Sequence, residues 1–432
     1  MKRETLTFPA ENISAEQLLT WAKRYDVFSL LNSNLSVNNP IDKYSAFDFL
    51  LAVDPVEIFK EENIFPVLKQ IYGYKDWFIL HLSYDLKNKI EALSSTNPDH
   101  IFFPEYIIYR PAIVFEIKDQ KLAVHYLSDK YSPEEIHYFI SEIKEQSVNK
   151  LIYKNELEIN QRLTREEYVS EINAIKQHIQ RGDIYEMNYC QEFFSENATI
   201  DPFQVYLDLN EISPMPFSVF TRYENHFLMC ASPERYLAKR DRKIISQPIK
   251  GTARRDSNPE EDRVSIERLF NDEKERAENV MIVDLVRNDL SRTAVKSSVH
   301  VEELFSIKTF AQLHQMISTI TSEISEETNI SELIQTTFPM GSMTGAPKIK
   351  AMEIIEVTEK SKRGLYSGSV GYLSPNGDFD MNVVIRSILY NAEKKYLSFT
   401  VGSAITICAI AEREYDECLL KAAAMKNVLS KK

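Results

Sequence analysis

Apolar residues recur along this chain at two different intervals. Between positions 165 and 182, Val169, Ile172, Ile175 and Ile179 fall three or four apart, which aligns them on one face of an α-helix. The spacing predicts a helix that opens at Arg165 and closes on Gly182, because glycine tolerates the left-handed conformation in which many helices end. SPEEIHYFISEIKEQ (132–146) and two longer stretches, 259–287 and 412–429, read the same way. Elsewhere the apolar runs are short and rich in aromatic and aliphatic residues, as in FDFLLAV (47–53) and AIVFEI (112–117), and read as strands. Between the two longer helices, SVGYL, DFDMNVVIRSILY and KYLSFTVG are set off by SPNG and NAEK, as strands joined by turns. In DFDMNVVIRSILY, alternation puts Arg386 mid-strand, on the face of Asn382 and Val384. Strands and helices come in runs and do not alternate as βαβ units, so the predicted class is α+β. Polar LIYKNELEINQRLT (151–164) reads as a connector between an N-terminal region, 1–150, and a region spanning 165–432.

These elements need a core, and 432 residues that are 44% hydrophobic and 11% aromatic supply one. No apolar run approaches the roughly 20 residues that cross a bilayer. The opening MKRETLTFPAENISAEQLL also lacks the apolar stretch of a signal peptide, so a soluble, cytoplasmic protein without a membrane partner is expected. A net charge of −13 argues against nucleic acid as a partner, since phosphate binding requires a concentrated basic surface. Cys190, Cys230, Cys408 and Cys418 are too scattered for a zinc site or a disulfide framework and read as buried thiols. Glycine is scarce, ten in all, yet Gly251, Gly341, Gly345, Gly364, Gly368, Gly371, Gly377 and Gly402 gather in one segment. A chain that avoids glycine elsewhere uses it there for turns or for close approach of backbone to a ligand. GSMTGAP (341–347) lacks the Gly-Lys-Ser/Thr ending of a Walker loop, which argues against a nucleotide site.

Charged residues supply the candidate chemistry. Glu275 and Glu278 stand three apart in one predicted helix, and Glu414 and Glu417 three apart in another, so each pair shares a face. Such pairs ordinarily belong to a solvated surface. Aimed at one point, they would build an oxygen-rich site suited to Mg²⁺, with Lys421 adding a cation four residues beyond Glu417. Lys250, in SQPIKGTARR, reads either as a solvent-pointing turn residue or as an amine nucleophile whose pKa is lowered by burial or by neighbouring cations. Glu234, sixteen residues earlier, could be its proton-transfer partner. Arg386 reads either as an exposed edge cation or as a fork for a carboxylate.

Eight ordered segments, ASPER, PIKGT, RAENVMIVDLVRNDLSR, ELFSIKTF, FPMGSMTGAPKIKAMEIIE, RGLYSGSVGYL, VVIRSI and EREYDECLLKA, resemble the chorismate-utilising enzyme family. The likeness runs from about residue 165 to the end of the sequence, with a looser match before it through FSLLNSN and YSAFDFLLAVDP. The resemblance implies two large antiparallel β-sheets packed as a sandwich, helices outside and the active site between the sheets. It also implies Mg²⁺ on the ring carboxylate of chorismate, held by Glu278 and Glu417, with Glu275 and Glu414 beside them acting through water. Arg386 would hold the side-chain carboxylate, helped by Tyr366 and the backbone of Gly402, while Lys421, Ser342 and Thr252 would complete the substrate contacts.

Within the family the likeness points to amination of chorismate at carbon 4, on the route to 4-aminobenzoate and folate, because relatives that make anthranilate carry alanine where this chain has Lys250. The lysine would add at ring carbon 2 as the 4-hydroxyl leaves, with Glu234 as general acid. Ammonia would then add at carbon 4 and displace it, so that two easier substitutions replace one difficult one. No glutaminase signature is visible, so the resemblance implies ammonia from solution or from a separate glutamine amidotransferase subunit. Three positions depart from the commonest family pattern. Gln315 stands where many relatives have histidine, Ala404 replaces a frequent glycine, and Glu186 occupies the place where water-using relatives carry a lysine base, which disfavours isochorismate and salicylate chemistry. Two other functions stay open: anthranilate formation, and silent chorismate binding without catalysis, against which Lys250, Glu234 and all four glutamates speak.

Overall fold

A computed structural model describes residues 2–11, 13–35, 42–147 and 157–430. Among them twenty strands join in one hydrogen-bonded network. It folds over on itself as two layers. In the first, Glu186–Ser195, Tyr396–Ile405, Ser387–Asn391, His226–Ser232, Phe217–Tyr223, Val27–Asn32 and Phe49–Phe59 are successive antiparallel neighbours. In the second, Phe78–Leu82, Ser369–Leu373, Phe379–Asn382, Arg235–Arg240, Lys243–Gln247 and Leu313–Glu323 follow one another. The layers meet at one long pair, Phe49–Phe59 with Tyr106–Lys118, whose register shifts between Pro55 and Glu57. Residues 106–109 then pair with the second layer and 113–118 with Lys121–Leu127. The expected sandwich is therefore present, with its two sheets joined at a bent corner.

Alternation along His226–Ser232 shows how the layers pack. Leu228 and Cys230 face a core shared with Leu237, Val370 and Phe379 of the other sheet. Phe227, Met229 and Ala231 face the opposite way, into a core that includes Ile172, Tyr415 and Met425 of the outer helices. The α+β expectation and the placing of helices outside both hold. Helix Arg165–Arg181 opens with a Thr164–Glu167 capping box and closes on Gly182 at φ 84°, as its periodicity predicts.

Two elements differ from the sequence reading. The stretch 259–287 is two helices, Pro259–Asn271 and Glu273–Ser291, because Asp272 takes an extended conformation and its side chain accepts from the N–H of Glu275. A new N-cap inside the apolar period restarts the helix. The run DFDMNVVIRSILY is likewise two strands, Phe379–Asn382 in one sheet and Ser387–Asn391 in the other. Residues 383–386 carry the chain between sheets, and Arg386 sits at φ 50°, so its mid-strand placement is corrected. Alternation extends only as far as a strand stays in one sheet.

A second crossing, at 233–234, links His226–Ser232 to Arg235–Arg240, and the two crossings are bonded together. Ala231 donates its N–H to the Arg386 carbonyl at 3.1 Å, and Val383 donates to the Glu234 carbonyl at 3.0 Å. Cys190, Cys230 and Cys418 are buried, whereas Cys408 is exposed, contrary to the reading of all four as buried. Residues 151–156 of the polar connector lie outside the described residues. No helix among the described residues is long and apolar enough to cross a membrane.

Candidate active site

Strand Ile249–Arg254 pairs with Leu313–Glu323, but the register slips between Ile249 and Thr252, leaving Lys250 and Gly251 in a bulge. Gly251 takes φ 90°, and a Cβ there would lie 3.1 Å from Leu269 Cδ1 and 3.2 Å from Glu275 Oε2. A bulge bends a strand and redirects its side chains. Lys250 is left with a side chain only 11% exposed, its Nζ donating to Glu186 Oε1 at 2.7 Å. Neither reading of Lys250 from sequence survives intact, for it is not solvent-pointing and its pKa is not lowered. Burial pulls the pKa down, but the carboxylates of Glu186, Glu278 and Glu234 outweigh burial and raise it above the ordinary lysine value. The amine rests as an ammonium.

Glu186 opens strand Glu186–Ser195 and is 1% exposed. Its position depends on close backbone contact with Gly345–Ala346, which pairs with Met187 and Glu186. Gly345 is at φ 152°, and a Cβ on it would fall 2.2 Å from the Glu186 carbonyl oxygen, so only glycine fits. The second carboxylate oxygen of Glu186 is buried and has no hydrogen-bond partner among the described residues. Sequence reading treated Glu186 only as a departure from family pattern. Its pairing with Lys250 joins positions 64 apart, and no local spacing signals it.

Glu234 lies at one sheet crossing and Arg386 at the other. Glu234 is 4% exposed, and Ser342, in the turn Gly341–Met343, donates its hydroxyl to Glu234 Oε1 at 2.6 Å. Burial pushes this carboxyl up to about 7, against the opposing effects of Ser342, Lys250 and Arg386. Burial also lowers the Arg386 guanidinium to about 10, opposed by Glu234. Turn 366–368 is strapped to the Arg386 crossing, with Ser367 N–H donating to the Val384 carbonyl at 2.9 Å. Tyr366 is buried, and its hydroxyl accepts from the Cys190 thiol at 3.8 Å. Gly402 stands opposite Cys190 in the neighbouring strand, and its carbonyl accepts from Lys421 at 3.0 Å.

Thr252 is exposed. Gln315, its strand partner, is 2% exposed, with Oε1 unpaired among the described residues. The adjacent His314 is committed elsewhere, held by Thr309 and Asp262 at 2.9 Å each. Ala404 pairs with Asn188 across the strands.

The four glutamates come from helices Glu273–Ser291 and Ala411–Leu429. Glu278 and Glu414 are buried, Glu275 is half-buried and Glu417 is exposed. The ammonium of Lys274 lies 3.8 Å from Glu278 Oε1 and 3.5 Å from Glu414 Oε1. Burial lowers its pKa, but Glu278, Glu414, Glu275 and Glu417 together raise it more. Glu278 is pushed up to about 7 by burial, and its Oε1 is buried without a hydrogen bond among the described residues. Lys421 pairs with Glu417 at 2.8 Å. The donor chemistry, carboxylate oxygens with one left unbonded, fits Mg²⁺. In this arrangement no three acidic, histidine or cysteine side chains among the described residues are gathered closely enough to hold a metal.

A cavity of about 630 Å³ lies elsewhere, lined by Arg3, Asp76, Trp77, Arg110 and Tyr372 among others, and no candidate residue borders it. Ser33 and Asn34 of FSLLNSN border a smaller cavity of about 70 Å³ with Phe217 and Arg235.

The chain matches the chorismate binding enzyme family over residues 20–427. It is 40% identical over 255 residues to aminodeoxychorismate synthase component 1 of Escherichia coli (strain K12), a match covering 59% of this chain and 56% of that protein. The matched stretch thus spans little more than half the length of that relative. With aminodeoxychorismate synthase component 1 of Bacillus subtilis (strain 168), identity is 30% over 358 residues, covering 81% of this chain and 76% of that one. The structure resembles that of anthranilate synthase component I from Streptococcus pneumoniae TIGR4 with a TM-score of 0.77 at 25% identity, covering 87% of this chain and 91% of that one. Agreement that extends through both sheets and both glutamate-bearing helices makes the chain a member of the chorismate binding enzyme family.

Proposed function

We propose that this chain aminates chorismate at carbon 4, giving 4-amino-4-deoxychorismate on the route to 4-aminobenzoate. Ammonia would come from solution or from a separate glutamine amidotransferase subunit. The observation that carries the reading is Lys250, buried in a strand bulge and held at 2.7 Å by Glu186. An amine so placed has a chemical use that a structural lysine lacks.

Substrate binding rests on cations set into an acidic chain. Arg386 makes no side-chain hydrogen bond or ion pair among the described residues, so its planar fork is available to a carboxylate. Mg²⁺ held by Glu275, Glu278, Glu414 and Glu417 would neutralise the ring carboxylate when bound. The Lys250 amine adds at ring carbon 2, both ring double bonds shift by one position, and the carbon–oxygen bond at carbon 4 breaks. Glu234, with its carboxyl up to about 7, carries a proton near neutral pH and gives it to the departing hydroxyl, which leaves as water. Ammonia then adds at carbon 4, and the bond from carbon 2 to Lys250 breaks with its electron pair returning to the amine. The new ammonium group returns a proton to Glu234.

Purified protein incubated with chorismate, Mg²⁺ and ammonium, with products separated before and after adding a lyase, tests the reading. The expected product is 4-amino-4-deoxychorismate, which the lyase converts to 4-aminobenzoate. Fluorescent anthranilate, or unchanged chorismate, would overturn it.

A further inference from the structure

We infer that Glu186 is the proton acceptor that turns Lys250 from an ammonium into a nucleophile, an inference that rests on the proposed amination. An ammonium has no lone pair, so Lys250 cannot add to chorismate until a proton leaves it. The nearest acceptor is already in place, since Glu186 Oε1 lies 2.7 Å from Nζ, within the reach a general base requires. Three carboxylates act most strongly on Lys250, Glu186 from strand Glu186–Ser195, Glu278 from helix Glu273–Ser291 and Glu234 from the sheet crossing, while Glu275 and Glu417 also interact with it. Glu234 is committed to the Ser342 hydroxyl and serves the leaving group. Glu278 interacts with both Lys250 and Lys274 but makes no hydrogen bond to the Lys250 amine. Of the three, Glu186 alone is hydrogen-bonded to the amine.

Two further observations fit a working base better than a structural anchor. A buried carboxylate kept only as an anchor would have both oxygens satisfied, yet Glu186 Oε2 has no hydrogen-bond partner among the described residues. The backbone of Glu186 is also closely packed, with Gly345 against its carbonyl, and this sets the strand position from which Oε1 reaches the amine. The proton balance closes. Lys250 gives one proton to Glu186 as the bond to carbon 2 forms, and the adduct carries the charge as a secondary ammonium. When ammonia displaces it, Lys250 leaves as a neutral amine and recovers its proton from Glu186.

Rapid quenching of enzyme with chorismate and Mg²⁺ but no ammonia, followed by mass measurement of the peptide containing Lys250, tests this across pH 6 to 10. Wild type should form the adduct. Glu186→Gln keeps the hydrogen bond to Lys250 but accepts no proton, so adduct formation at pH 7 should slow by about 100-fold or more. Chorismate binding measured at equilibrium should change less than about threefold, and the lost rate should return as pH rises and solvent takes over deprotonation. Glu186→Asp, which retains a carboxylate, should recover part of the rate at pH 7. Adduct formation by Glu186→Gln at the wild-type rate or faster would show that Glu186 merely restrains the amine and would overturn the inference. A loss that does not recover at high pH would overturn it too, by assigning Glu186 to architecture. Failure of wild type itself to form an adduct would sink the lysine route of the proposed function, and this inference with it.

Discussion

Glu234 is an acid at neutral pH because it is buried, and that burial has a thermodynamic cost. A carboxyl held at about 7 in the fold against about 4.3 when unfolded favours the folded state most at low pH, where both forms are protonated. As pH rises from 4.3 through 7 the unfolded chain ionises first and stability falls, by about 4 kcal/mol once both forms are ionised. Glu234→Gln keeps an acceptor for Ser342 and should melt a few degrees above wild type at pH 8, with the gap narrower at pH 5.5, while turnover is lost. Equal melting points at pH 8 would contradict the raised carboxyl. Arg386→Lys should raise the KM for chorismate about tenfold or more, since a point charge cannot replace two parallel hydrogen bonds; wild-type kinetics would return Arg386 to a supporting role. Lys250→Ala should still bind chorismate yet lose most amination, with any residue depending steeply on ammonium, and wild-type turnover at low ammonium would refute the nucleophile. The motif around Lys250 was legible in sequence, but its protonation was not, because that depends on carboxylates brought together from separate elements.

Helices Glu273–Ser291 and Ala411–Leu429 bring four glutamates around one lysine. In the described arrangement the Lys274 ammonium offsets their mutual repulsion, in the region where a divalent cation would act. Lys274→Met should therefore lower the melting temperature in chelator and tighten Mg²⁺ binding in titration calorimetry, because it removes an internal competitor for the carboxylates. Weaker Mg²⁺ binding would mean that Lys274 supports the metal. Glu278→Ala and Glu417→Ala should each abolish turnover at limiting Mg²⁺, and near-normal activity in either would remove it from the donor set. The i, i+3 spacing of these glutamates was readable, as were helices Arg165–Arg181 and Ala411–Leu429, because one apolar period spans each. Less readable were the break at Asp272 and the sheet change at 383–386. At both, local polarity stays helix-like or strand-like, and only a cap or a tertiary crossing interrupts the element.

Across the whole molecule the two ends of the chain share sheets. Val27–Asn32 lies between Phe49–Phe59 and Phe217–Tyr223, and Phe78–Leu82 pairs with Ser369–Leu373. A fragment beginning at Arg165 would expose those edges and the apolar core between the sheets, so it should aggregate when expressed alone and recover solubility when coexpressed with residues 1–164. A soluble, cooperatively melting fragment would show that the edges do not need their partners. The bulge at Lys250 and Gly251 also bears on how the fold could be re-engineered. Because backbone geometry at Gly251, and not the lysine, presents position 250 to Glu186 and the neighbouring carboxylates, that position is a socket. Paired libraries at 250 and 186 could exchange one nucleophile and base for another while leaving the sheets, the crossings and the substrate cations as they stand.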